Sequence, residues 1–156
     1  MTLPPEAPKV RFPPPLVYLG FIGLAIILAR FVAMPSLGLG ISRPWLGGAA
    51  LMTGLAIVMG PIRLFSRKGE NPVPWTPTAT IIDTGLYAYT RNPMYLGMAI
   101  AYIGIALLID SLIALLLLPL VIAIIQTQVI AREEAYLNAT FGTPYRDYCS
   151  RVRRWI

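Results

Sequence analysis

Four apolar stretches, each close to the length that crosses a lipid bilayer, limit what this chain can fold into more than any single motif does. An apolar helix needs about 20 residues to span the hydrocarbon core. The first stretch runs from Leu16 to about Met34, with Arg30 late enough to snorkel outward. The second runs from about Pro44 to Phe65, with Pro61 and Arg63 near its end. The third, 93–109, is shorter. Asp110 and Ser111 then make a very tight turn into the fourth, which reaches about Ile130 with a kink expected at Pro119. Of the 156 residues 56% are hydrophobic and 13% charged, whereas a soluble domain carries about a quarter charged residues. The expected fold is therefore all-α: about four transmembrane helices plus a C-terminal interfacial helix, in a single integral membrane domain over 1–156.

Within that domain, residues 1–15 form a proline-rich cytoplasmic lead-in without the pattern of a signal peptide. Residues 16–65 hold two N-terminal spans, 66–92 a cytoplasmic loop, and 93–156 a hairpin and C-terminal helix with the candidate catalytic residues. Orientation follows from the cations, because cytoplasmic loops carry the excess of Lys and Arg. In a four-span topology Lys9, Arg11, Arg63, Arg67, Lys68, Arg91, Arg132, Arg146, Arg151, Arg153 and Arg154 share one side. The other side keeps Arg43, with Arg30 near its helix end, so both termini are expected in the cytoplasm. The net charge of +6 then reports topology and contact with anionic lipid, and nothing resembles a nucleic-acid reader. Histidine is absent and Cys149 is the single cysteine, which excludes Cys/His zinc sites, histidine triads and histidine bases. Oligomeric state is left open.

Polar chemistry collects on the cytoplasmic side. The 66–92 loop is long for such a small chain, and long connections are often lids or binding loops. Its Trp75, Tyr87 and Tyr89 suit an interfacial segment. Asn92 is a strong N-cap type and Pro93 suits the first helical position, so the pair starts the third span. With Arg91 beside the helix N-terminus, this is a place for a carboxylate or phosphate, and Tyr95 adds an aromatic face or hydroxyl. A plain membrane helix could use the same cap.

The fourth helix shifts that balance, because it runs on past the membrane to a stop at Gly142. Gln126 and Glu133 are expected to share one face by their spacing, and Thr127, Glu134 and Asn138 another. The adjacent Glu133 and Glu134 repel, so at least one should find a cation. Thr143 and Pro144 repeat the cap-then-proline grammar and open a final helix, whose Tyr145, Tyr148, Val152 and Trp155 form a stripe suited to a membrane surface. The tight hairpin should pack closely, with Gly97, Ala101 and Gly104 admitting the neighbouring backbone. It also brings Arg91 and the glutamate pair to one depth. Such a pocket suits a zwitterion with a further cation: S-adenosylmethionine is one candidate among many amino-acid-like ligands.

The residues also carry a resemblance. Arg91-Asn92-Pro93-Met94-Tyr95-Leu96-Gly97, then Glu133-Glu134-Ala135-Tyr136-Leu137, Phe141-Gly142 and Tyr145-Arg146-Asp147-Tyr148 resemble the isoprenylcysteine carboxyl methyltransferase and phospholipid methyltransferase superfamily. The resemblance covers roughly the C-terminal half. It implies a multispan enzyme that takes S-adenosylmethionine from the cytosol and methylates a lipophilic small molecule or lipidated substrate entering from the bilayer. It implies a cofactor site formed by Arg91, Asn92, Tyr95, Glu133, Glu134, Tyr145 and Tyr148, to which Tyr87 and Pro93 are added as neighbours. Asn92 stands where many members have histidine, so a scheme with a histidine base is closed to this chain. An acceptor carboxylate would be held by Arg151 or Arg153, whereas an amine or thiol would give its proton to Glu134. O-methylation of a carboxylate is the favoured reaction. Two other classes stay open: a membrane sterol or lipid reductase binding NADPH, and a small non-enzymatic membrane scaffold.

Overall fold

The computed structural model describes residues 12–67, 69, 71, 76 and 80–156. Lys9, Arg11, Lys68 and Trp75, which entered the orientation and loop arguments, lie outside the described residues. Among the described residues the chain is helical, without strands: α1 Pro14–Leu28, α2 Arg43–Arg67, α3 Pro93–Leu108, α4 Leu112–Ile125, α5 Ala131–Phe141 and α6 Thr143–Arg151. A π turn at Gln126–Ile130 joins α4 to α5, and 3-10 turns lie at Gly40–Ser42 and Gly85–Ala88.

Two helical runs are long and apolar enough to cross a membrane, Gly40–Arg67 with 28 residues and Leu112–Phe141 with 30. The other two apolar helices are shorter, with 15 residues in α1 and 16 in α3. At 1.5 Å per residue each reaches only roughly 22–24 Å, against a hydrocarbon core of ~30 Å. The α1 helix ends at Leu28 rather than near Met34. Its last amides tighten to i−3 partners, Arg30 N–H to Ile27 O and Phe31 N–H to Leu28 O at 3.0 Å each. Pro35 then disfavours helix at the residue before it.

The small residues of α3 do pack closely, but against α2 and not against the hairpin partner α4. A Cβ at Gly104 would lie 2.8 Å from Gly47 O, and one at Gly97 would lie 2.8 Å from Gly54 O. Gly47 and Gly54 are seven apart on α2, and they face an equally smooth stripe on α3, so the two backbones run antiparallel in direct contact. The opposite face of α3 carries bulk. Tyr95, Ala99, Tyr102 and Ala106 are buried with Tyr18, Ile22 and Ala25 of α1 and Ile113, Val121 and Ile125 of α4. Tyr102 O–H donates to Ala114 O at 2.9 Å, and Tyr18 O–H donates to Tyr95 O at 3.1 Å. α3 is thus a central element, with glycines toward one neighbour and tyrosines toward two others.

The α3–α4 turn is tied down at the other end of the bundle. Asp110 takes a positive φ of 54°. It accepts the Ser36 hydroxyl at 2.7 Å and the Leu37 N–H at 3.0 Å, and pairs with Arg43 at 3.4 Å. The Ser36 hydrogen bond first, then the Leu37 amide, hold its carboxyl below the ordinary range. A lowered folded-state pKa contributes stability that is present above the unfolded value and lost as pH falls through the folded one. The melting temperature should therefore drop as pH falls below about 4. Asp110→Asn, which tolerates the same φ, should flatten that drop; an unchanged acid limb in circular-dichroism melts would show that Asp110 plays no part in it.

Because α1 and α3 start where α2 and α4 end, those ends gather with α5, α6 and the Gly85–Ala88 turn at the opposite end of the bundle. That end carries the candidate site.

Candidate active site

The cavity at this end is lined by Tyr87, Arg91, Asn92, Tyr95, Glu133, Glu134, Tyr145 and Tyr148, all singled out from the sequence. Phe65, Ile81, Ile82, Met94, Tyr136 and Leu137 add apolar wall that the sequence reading missed. Met94, Tyr136 and Leu137 sit beside the motif residues and were within reach of it. Phe65 and the isoleucines come from the end of α2 and the following loop, and no local pattern marks them.

Pro93 is the first residue of α3 and does not line the cavity. Asn92 lines it, but its side chain does not cap α3. Its Nδ2 donates instead to Arg154 O at 2.9 Å, so the helix end is left to Asn92 as a link to the C-terminal segment. Thr143 likewise lies inside α6 behind Gly142, which takes the positive φ of 59° that ends α5. Neither Arg151 nor Arg153 lines the cavity. α6 stops at Arg151 and the chain becomes extended at Val152, so alternate residues turn inward: Val152 is buried and Arg153 exposed. Arg154 lies outside the lining as well, but its guanidinium extends to a residue that is part of it.

It reaches Glu134. Arg154 Nε donates to Oε1 at 3.0 Å and Nη2 to Oε2 at 2.5 Å, while Arg91 Nη1 lies 3.2 Å from Oε1. One glutamate of the adjacent pair thus has its cations, as like-charge repulsion requires, and has two of them. Glu133 is handled differently. Its Oε2 accepts the Tyr95 hydroxyl at 2.9 Å, and among the described residues it has no ion-pair partner. Arg91 retains a spare donor as well: its Nε is buried without a hydrogen-bond partner, although Nη1 also touches Cys149 Sγ at 2.7 Å. The site therefore presents one unspent cationic donor and one unspent carboxylate.

The aromatic stripe of α6 closes the cavity instead of facing away from it. Tyr145, Tyr148 and Val152 are buried together with Ile81, Leu137 and Phe141, and Tyr148 O–H donates to Tyr87 O at 2.8 Å. Burial is the leading cause that pushes the phenols of Tyr87, Tyr145 and Tyr148 well above their ordinary value. They stay protonated at neutral pH, and of the three the Tyr148 hydroxyl is seen to donate.

The π turn sets which face of the long helix meets this tail. It accommodates an extra residue in one turn, so Gln126 lines up with Glu134 and not with Glu133. Trp155 Nε1 donates to Gln126 Oε1 at 3.1 Å while its neighbour Arg154 holds Glu134.

Among the described residues the fold is a helix bundle with two helices long and apolar enough to cross a membrane and a cavity of polar and apolar side chains at one end. The phospholipid methyltransferase family matches residues 42–144 of the 156, and the chain belongs to that family of membrane methyltransferases. Over 72 residues, 46% of the chain, it is 38% identical to protein-S-isoprenylcysteine O-methyltransferase of Schizosaccharomyces pombe, of whose length the match spans 30%. Over 63 residues, 40% of the chain, it is 38% identical to an uncharacterized protein of Haemophilus influenzae along that protein's whole length. No solved structure matches the chain.

Proposed function

We propose that the chain is an integral-membrane, S-adenosylmethionine-dependent methyltransferase acting on a lipophilic acceptor, with a carboxylate of the isoprenylcysteine kind favoured. One observation carries the reading: Arg91 keeps a buried Nε without a partner while Glu133, in the same cavity, has no cationic partner among the described residues. A zwitterionic amino-acid end satisfies both at once. Arg91 would hold the carboxylate and Glu133 the ammonium, with Tyr95 orienting Glu133 through its hydroxyl. S-adenosylmethionine supplies, when bound, an electrophilic methyl group on a sulfonium.

The chain's part is then positioning and exclusion of water, for which Phe65, Ile82, Met94 and Leu137 provide apolar wall. On this reading Glu133 is taken up by the donor's ammonium, which leaves little for proton removal. Glu134 is consumed by two guanidiniums and the buried tyrosines stay protonated. A carboxylate acceptor, which arrives ionised, needs no base; an amine or thiol would. The name of the fission-yeast relative agrees with this preference.

Four crossings are proposed, with α1 and α3 accommodated by local thinning of the bilayer and α6 at the interface. The cavity end would face the cytosol with both termini, since Arg63, Arg67, Arg91, Arg132, Arg146, Arg151, Arg153 and Arg154 fall at that end. Calorimetry on detergent-purified protein should give micromolar binding of S-adenosylmethionine and S-adenosylhomocysteine. Labelled methyl should pass to a prenylated cysteine carboxylate in preference to phosphatidylethanolamine. Folded protein that binds neither nucleoside would overturn the reading.

A further inference from the structure

The described C-terminal segment makes more specific bonds to the site than a surface tail needs. Arg91 N–H donates to Arg153 O at 2.9 Å. Thr90 O–H at 3.3 Å and Asn92 Nδ2 at 2.9 Å both donate to Arg154 O. Trp155 Nε1 is fastened to Gln126 at 3.1 Å. These bonds hold the backbone of Arg154 in register with the start of α3 on one side and the π turn on the other. Its guanidinium has one carboxylate within reach, Glu134, and takes both oxygens.

Glu134 is also the only carboxylate among the described residues that pairs with Arg91. Two arginines thus compete for one carboxylate. The bidentate partner wins the larger share, and Arg91 is left with an Nη1 shared between one Glu134 oxygen and Cys149 Sγ and an Nε without a partner. We propose that Arg154 is a positioning residue: by occupying Glu134 it keeps Arg91 open to the carboxylate of the incoming amino-acid-like donor. The inference rests on the methyl-donor reading of the pocket and names how that site is kept competent. Without Arg154, Glu134 is free to turn both oxygens onto Arg91, and the donor's carboxylate must displace a two-oxygen ion pair in place of the present single contact at 3.2 Å.

The test compares S-adenosylmethionine with its decarboxylated analogue, by calorimetry on the full chain in detergent. Arg154→Ala should weaken S-adenosylmethionine about tenfold, the effect of one charged hydrogen bond, and leave the decarboxylated analogue unchanged. Adding Glu134→Gln to that variant removes the competitor for Arg91 and should restore most of the lost affinity. If Arg154→Ala does not fold, Arg154→Gln keeps the stem without the charge and carries the same comparison. Equal weakening of both ligands, or a double variant as weak as the single one, would reduce Arg154 to a structural clasp and overturn the inference. Wild-type protein that binds S-adenosylmethionine no better than the analogue would overturn it too, without touching the methyltransferase reading. Wild-type protein that binds neither would remove both.

Discussion

Glu133→Gln is expected to weaken S-adenosylmethionine binding about tenfold to a hundredfold while leaving the melting temperature equal or higher. The reasoning begins with what Glu133 lacks. A partly buried carboxyl with no cation beside it among the described residues is a cost to the folded protein when ionised, and the Tyr95 hydroxyl at 2.9 Å offsets only part of it. Glutamine has the same shape and can still accept from Tyr95, so the fold loses nothing and is spared a carboxyl whose pKa burial pushes up to about 8 and which is costly to ionise. A ligand ammonium loses its counter-ion, and a hydrogen bond between charged groups is worth about 1.5–3 kcal/mol. Loss of function with gain of stability is the signature of a group kept for binding. Calorimetry paired with thermal melts reads both quantities. A variant that binds normally would take Glu133 out of the site; one that unfolds would make it structural.

The second large effect lies far from the pocket. Gly54→Ala should cost about 3 kcal/mol or more, at the upper end of overpacking substitutions. A Cβ there would stand 2.8 Å from Ala101 Cα and closer still to Ala101 N and Gly97 O, all of them backbone. Side chains can rotate away from an added methyl, but a packed helix cannot. The α2–α3 contact must open, and with it the matched positions at Gly47, Gly97 and Gly104. Gly48→Ala is the control, since its Cβ would meet nothing within 4 Å. It should melt at or above the wild-type temperature, because alanine is the better helix former. Equal melting of the two variants in detergent would refute the close α2–α3 packing.

Much of this architecture was legible residue by residue. The tight turn at Asp110 and Ser111, the start of α3 at Pro93 and the stop at Gly142 all rest on local backbone chemistry, and each stands where it was expected. The motif residues Arg91, Tyr95, Glu133 and Glu134 do line one cavity. What escaped was pairing. The glycine stripe of α3 declares a close neighbour but not which one, and α2 takes the place assigned to α4. Of three arginines near the end of the chain, Arg151 and Arg153 were expected at the site, and it is Arg154 that pairs with Glu134 of the cavity wall. Asn92 has the right chemistry for a cap, yet its amide is drawn to Arg154 O, a partner 62 residues away.

The sequence by itself determined where helices run, where they break, which residues carry charge into apolar surroundings and to which family the chain belongs. Those properties reside in a residue and its near neighbours, and hydropathy and turn chemistry express them directly. Only the tertiary structure decided that Glu134 is spent on two arginines while Glu133 accepts from Tyr95 and has no ion-pair partner among the described residues. It also decided that the extended tail and the π turn bring Arg154 and Trp155 to opposite partners on one helix. The division has a physical cause: each of these pairings is a competition among chemically equivalent groups. Ångström-scale register settles it, through an extra residue in one helical turn and the extended backbone after α6, and neither is written into the composition of the segments involved.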